Sequence, residues 1–223
     1  MSSVRSEAVP IVYFHHRIQC APHAWKAVAG RIVAESSQTF ESKGGSLYGI
    51  WRSQIGRPRD ELTVITHWRE PSSADTSPSP FNDIADVTTH SAVAMMPTLR
   101  PASPEAPRQQ GNYAFRWFKT PLHHWPEFLE LCTAAWPDFE SAYDSQIIGL
   151  WRVTPDENRT VRSLLITRRP DLAMWERSKQ PANETEAEVR RKLNRRYELC
   201  DDTVVCTSTL LTANDREDTA RWT

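Results

Sequence analysis

Glycine is scarce in this chain, seven residues in 223. That leaves little material for the glycine-rich loops that cradle phosphates, and neither GxGxxG nor GxxxxGK[ST] is present. HExxH and GxSxG are missing as well, which removes the commonest zinc-protease and serine-hydrolase signatures. The longest apolar runs reach four or five residues, far short of a membrane span. The opening MSSVRSEAVP has no apolar stretch, so no signal peptide is expected. The four cysteines, Cys20, Cys132, Cys200 and Cys206, form no CxxC pair and have no histidine at zinc-finger spacing. Buried thiols in a reducing cytosol are the expectation, with Cys20 as the one candidate for reactivity, and the chain is read as cytoplasmic. Neither sign of charge dominates: 27 basic against 28 acidic side chains give a net charge of -1. Nucleic acid and anionic membranes are therefore not expected partners.

Tryptophan, by contrast, is abundant at nine residues, and its placement exposes a repeat. Shifted by one hundred positions, Tyr13 falls on Tyr113, His23 on His123 and Trp25 on Trp125. Gly49-Ile50-Trp51-Arg52 then falls on Gly149-Leu150-Trp151-Arg152, Arg59 on Arg159, and Arg69 on Arg169, with no gap. In the first copy, residues 11–19, 46–53 and 62–69 carry the β-branched and aromatic residues of strands. Ala21-Pro22 opens a helix over 23–42, which Lys43-Gly44-Gly45 stops. Residues 54–61 make a hairpin turn, and 90–99 supply a last strand. The second copy repeats this as 112–119, 122–141, 146–153 and 162–169, adds a charged helix in 184–199, and ends on a strand at 203–211. The basic run at 190–196 reads as a solvated face of that helix.

The order β-α-β-β-α-β is the ferredoxin-like unit. Its antiparallel sheet has helices on one face only, so the other face needs a cover. Two fused units cover each other. The expected fold is α+β, an α+β barrel of two tandem units with helices outside and a pocket between the sheets. The expected division is 1–98, a linker at 99–111, a second unit at 112–212 and a tail at 213–223.

The strand around Arg17, the helix ending in Gly44-Gly45, the strand with Gly49 and Trp51, and the strand ending in Trp68 together resemble the NIPSNAP family of the dimeric α+β-barrel superfamily. His15 stands where that family usually has an acidic residue, and the second copy has Phe115 and Trp117 at the matching places. The resemblance covers nearly the whole chain through patterned strands. It implies the barrel, and a superfamily that holds cofactor-free monooxygenases, cyclases, isomerases, dehydratases and haem-binding enzymes beside proteins with no known activity. Fold does not fix function.

Alternation sorts each strand into two faces. Val12, Phe14, His16 and Ile18 should meet the helices, while Tyr13, His15, Arg17 and Gln19 should look into the barrel. In the third strand His67 and Arg69 should do the same. At the matching places the second copy offers Tyr113, Phe115, Trp117 and Lys119, with Thr167 opposite His67. One half would thus act on the polar end of a ligand and the other would hold its apolar part. His15 and His67 are the candidate acid/base groups, Arg17 and Arg69 would stabilise a carboxylate or enolate, and Tyr13 would donate a hydrogen bond. Trp51, Trp151, Tyr113, Phe115 and Trp117 are the candidate binding walls.

The reaction expected is a cyclisation, isomerisation, dehydration or cofactor-free oxygenation of an aromatic or polyketide-like molecule. The alternative is a non-catalytic NIPSNAP-type binding or interaction protein. The histidine pairs could also serve as axial ligands to haem, although no spacing demands it. The expected state is a monomer or homodimer. An open interior lined by His15, His67 and Arg17 would favour chemistry, and an interior filled by Trp117, Phe115 and Trp51 would favour binding alone.

Overall fold

The structure, a computed structural model, describes residues 11–36, 40–69, 81–153 and 159–215. The first unit contains β1 (Ile11–Cys20), α1 (Trp25–Glu35), β2 (Gly45–Ile55), β3 (Glu61–Arg69) and β4 (Val87–Pro97). The second contains β5 (Asn112–Pro121), α2 (Trp125–Ala142), β6 (Gln146–Val153), β7 (Thr160–Arg169), α3 (Leu172–Arg177), α4 (Glu184–Glu198) and β8 (Asp202–Leu210). All pairings are antiparallel, and the eight strands close into one barrel in the order β1-β3-β2-β8-β5-β7-β6-β4. Each unit keeps the ferredoxin-like strand order, although the first has no second α-helix among its described residues, the Pro/Ser stretch at 71–80 lying outside them. The last strand of each also pairs with the second strand of the other unit, β4 with β6 and β8 with β2. The α+β barrel of two tandem units is thus present, with no sheet edge left among the described strands.

Helix limits differ from the sequence reading for a local reason. His23 takes a left-handed φ of 66°, so α1 begins at Trp25 and Pro22 lies in the preceding turn. In the second unit Pro126 sits in the first turn of α2, where a missing N–H costs nothing. Gly44, at φ 76°, provides the expected left-handed stop after a short 3-10 turn at Glu41–Lys43.

The two copies are not aligned throughout. Tyr13 pairs with His67, but Tyr113 pairs with Arg168. The hairpin between β6 and β7 is one residue longer than that between β2 and β3, because Arg52 opposes Leu62 while Arg152 opposes Ser163. A one-residue slip turns every side chain of a strand to the other face. The counterpart of His67 is therefore Arg168, not Thr167. Thr167 matches Thr66 and faces outward, and Arg169 matches Trp68 rather than Arg69.

Three apolar clusters follow. Phe14, Ile18, Val28, Ile32, Val64 and Trp68 fill the layer between the first sheet and α1. Phe118, Phe128, Cys132, Leu150, Leu165 and Val189 fill the equivalent layer under α2 and α4. The third cluster is the barrel interior, where Tyr13, Tyr48, Trp51, Tyr113, Phe115 and Trp151 are fully or almost fully buried. The middle of the expected pocket between the sheets is thus filled by aromatic rings. Edge-to-face contacts join Trp51 to Phe115 at 5.3 Å and Tyr13 to Trp151 at 5.6 Å, geometry favoured by ring quadrupoles.

The Gly-x-Trp pattern is a packing device. Gly49 lies under the ring of Trp51, and Gly149 under that of Trp151. A Cβ on Gly49 would stand 2.5 Å from Cη2 of Trp51. Gly49→Ala should therefore cost about 1–3 kcal/mol of stability, the usual range for overpacking. Denaturant unfolding followed by tryptophan fluorescence measures this, and an unchanged midpoint would contradict the packing account.

Candidate active site at the barrel mouth

The barrel has one strapped end and one open end. Residues 98–111 run across the strapped end. The strap is fixed where Leu150 donates its N–H to the Arg100 carbonyl, Tyr113 donates its hydroxyl to the Gln109 carbonyl at 2.6 Å, and Arg168 donates to the Gln110 carbonyl at 2.7 Å. Ala106 packs onto the interior cluster from this side.

At the open end lies a cavity of about 430 Å³, within the range of small-molecule sites. Both units build it. The first gives His15 and Arg17 from β1, Arg57 from the β2–β3 turn, and Ser91 from β4. The second gives Trp117 and Lys119 from β5 and Arg162 from β7. His15 is 3% exposed, and its ring meets Trp117 edge to face at 5.1 Å and Phe115 at 6.2 Å. Arg162 lies over the Trp117 ring, 4.6 Å from its centre. Glu61, almost wholly buried, takes two hydrogen bonds from Arg17, at 3.0 and 2.6 Å, and an ion pair from Arg57 at 3.5 Å. Asp202 lines the rim. Four cations thus face two acids, and the mouth carries a positive excess.

This setting governs His15. Burial first, and then the charges of Arg57, Arg17 and Arg162, push its imidazole down to about 3. The ring is neutral at ordinary pH, and both its burial and the surrounding positive charge oppose its taking a proton.

The other expected site residues are dispersed. Tyr13 is inside the barrel against Tyr48 and Trp151, and burial pushes its hydroxyl up to about 12. His67 is half-buried and rests on Tyr13 and Tyr48, toward the strapped end and outside the mouth cavity. Arg69 ends β3 exposed to solvent, because β3 finishes there and its N–H goes to the Gly44 carbonyl. Trp51, Trp151 and Tyr113 are interior packing, so the mouth retains only Trp117 as a wall, with Phe115 behind it. Arg57, Arg162, Ser91 and Glu61 were not singled out by sequence. Correct phasing of β7 would have turned Arg162 inward beside Leu164, but Arg57 lies in a turn that alternation does not reach.

Axial ligation of haem does not fit these histidines. His16 is fully buried, with one ring nitrogen 3.0 Å from His90 and the other 3.0 Å from the Thr66 hydroxyl. His123 and His124 lie against each other, tilted by 44°, in the turn before α2, outside the barrel. His15 opens onto a ring of arginines rather than the apolar slot a flat macrocycle requires. Among the described residues no group of three or more His, Cys, Asp or Glu could hold a metal ion. Burial, followed by Asp60 and Asp86, pushes the Cys20 thiol up to about 12, which removes it as a nucleophile. No helix among the described residues is long and apolar enough to cross a membrane.

Acid stability should report the His15 environment. An ordinary imidazole titrates near 6.5, and His15 in the folded chain near 3. As pH falls through that window the unfolded chain binds a proton that the folded chain refuses. The stability is therefore whole above the window and is lost as pH falls through it. His16 and His67 are lowered too, chiefly by burial. Replacing His15 with Gln should remove part of the acid slope in denaturant unfolding between about pH 7 and about pH 4. An unaltered slope would mean that His15 titrates normally.

No family model matches the chain, and no curated protein matches it by sequence. Solved structures match through the fold. A candidate monooxygenase from Lactobacillus acidophilus superposes with a TM-score of 0.55 at 12% identity, over 90% of this chain and 94% of that one. An anthrone oxidase-like protein gives 0.56 at 12%, over 93% of each chain. Chlorite dismutase from Candidatus Nitrospira defluvii, in complex with imidazole, gives 0.55 at 12%, over 90% of each. At these identities the likeness establishes the ferredoxin-like barrel and nothing finer.

Proposed function

We propose that the chain is a small-molecule enzyme whose barrel mouth takes an anionic, enolisable or phenolic aromatic substrate, and that His15 moves the proton. The observation that carries this reading is a buried neutral imidazole on the floor of a cavity ringed by Arg17, Arg57, Lys119 and Arg162.

The substrate's anionic group pairs with Arg57 and Arg162, the two guanidinium groups not held bidentately by Glu61, and its ring lies on Trp117. A bound anion offsets the arginine charges, the part of the His15 depression that a ligand can relieve, so the imidazole is a stronger base in the complex than in the free chain. The C–H or O–H bond breaks, the proton goes to His15, and the bonding pair remains on the substrate as an enolate or phenolate. The guanidinium groups stabilise that charge as it forms. Proton abstraction of this kind begins isomerisation, cyclisation and dehydration. It also begins oxygenation, in which the carbanion reacts with dioxygen, the type of activity named for two of the structural neighbours.

A second reading, a non-catalytic binding protein of NIPSNAP type, is favoured by the filled interior and by Arg17 being tied to Glu61. Phenylpyruvate, an enolisable aromatic anion, discriminates. In D2O the chain should speed exchange of its methylene protons, and His15→Gln should slow that exchange by about 10²–10⁴-fold. Arg162→Gln should raise KM more than it lowers kcat. Saturable binding without exchange would favour the binding protein, and exchange unchanged in His15→Gln would remove His15 as the base.

A further inference from the structure

A second cavity lies outside the barrel, between the outer face of the second sheet and helices α2, α3 and α4. Its volume is about 250 Å³. Arg116 enters it from β5, Arg169 from the end of β7, and Arg190 and Arg196 from α4. Trp136 and Phe139 of α2 form an aromatic wall. Lys179, exposed and paired with Glu176 at 2.8 Å, stands at its edge, and no acidic residue lines the space.

Two of these arginines are buried and two, Arg116 and Arg190, are half-buried, and no counterion lies among them. Arg169 and Arg196 are each 7% exposed. Nε and Nη1 of Arg169 and Nε of Arg196 have no hydrogen-bond partner. Arg169 lies over Phe139 and Trp175, and Arg196 lies over Phe118 and Phe128 and donates one hydrogen bond, from Nη1 to the Cys132 sulfur at 3.5 Å. Among the described residues no acid pairs with Arg116, Arg169, Arg190 or Arg196. The nearby Glu186 is committed to Arg177, the Tyr143 hydroxyl and the Ala182 N–H. Burial, with mutual repulsion, pushes Arg116 and Arg169 down to about 10.

The fold does not require this arrangement. In the first unit the place of Arg116 is taken by His16 and that of Arg169 by Trp68. There Trp68 donates to the Thr66 hydroxyl, His16 is satisfied by Thr66 and His90, and Phe40 and Phe81 pack the layer. The first unit closes the same layer with rings, while the second gathers like charges that repel, two of them shut away from water. A buried guanidinium without a counterion is costly, and converging forks match carboxylate or phosphate oxygens.

We propose that this cavity binds a small organic anion of two or more charges, a phosphate monoester or dicarboxylate, whose apolar body rests on Trp136 and Phe139. The site is separate from the barrel mouth and does not depend on His15.

Phenyl phosphate and phthalate are suitable probes for the full chain, read by thermal unfolding and by titration calorimetry. Either probe at millimolar concentration should raise the melting temperature, and added salt should weaken the effect. Arg169→Met should keep the free protein folded, and should stabilise it, because it removes an unpaired buried charge and keeps the volume. The same change should weaken probe binding by about tenfold or more. Arg57→Gln, at the mouth, should leave this binding intact. Two results would overturn the proposal. One is the absence of any response to both probes in the unaltered chain. The other is binding that survives Arg169→Met and is lost in Arg57→Gln, which would assign the anion to the mouth.

Discussion

Closure by exchanged edges is the constraint on which the rest depends. A four-stranded ferredoxin-like sheet has two open edges and one bare face. Here β8 seals the edge of β2, and β4 seals the edge of β6. The same pairings bring the bare faces together and force their side chains into a shared interior. Large rings fill it, and the fill works only because Gly49 and Gly149 leave room under the indoles two residues later. With the middle of the barrel occupied, open volume is left at the mouth, under the strap beside Tyr48, and in the outer layer under the helices.

Much of this was legible in the sequence. Alternation in β1 placed Tyr13, His15 and Arg17 inward and His16 outward, and the paired Gly-x-Trp segments revealed two like units. What alternation could not supply was phase across a hairpin of unequal length. The extra residue before β7 turns Arg169 and Thr167 outward, and brings Arg162 and Arg168 inward. The basic run of α4 was misread for a related reason. Arg191 and Arg195 do form solvent-side ion pairs with Glu184, Glu188 and Glu127. Arg190 and Arg196, on the other side of the same helix, face the sheet. Charge in a sequence carries no label for the side of a helix that will be covered.

The units have diverged in opposite directions in their two layers. Inside the barrel, the first unit supplies His15 where the second has Phe115. Outside it, the first unit closes its layer with Trp68 and Phe81, and the second admits arginine at two matching strand positions and two helical ones. The near-zero net charge of the chain thus conceals two concentrated positive regions, one built by both units and one by the second alone.

The strap across one end gives the barrel a direction. Residues 98–111 join the two units and also lie over the end of the barrel away from His15, and the aromatic rings behind them fill the middle. The mouth is therefore a cul-de-sac. Whatever enters beside His15 must leave by the same door, and a departing molecule must clear Arg57 and Arg162 before another can take its place. Under the proposed reaction, traffic through the site is single file in both directions, and a product that keeps its anionic group competes with the next substrate.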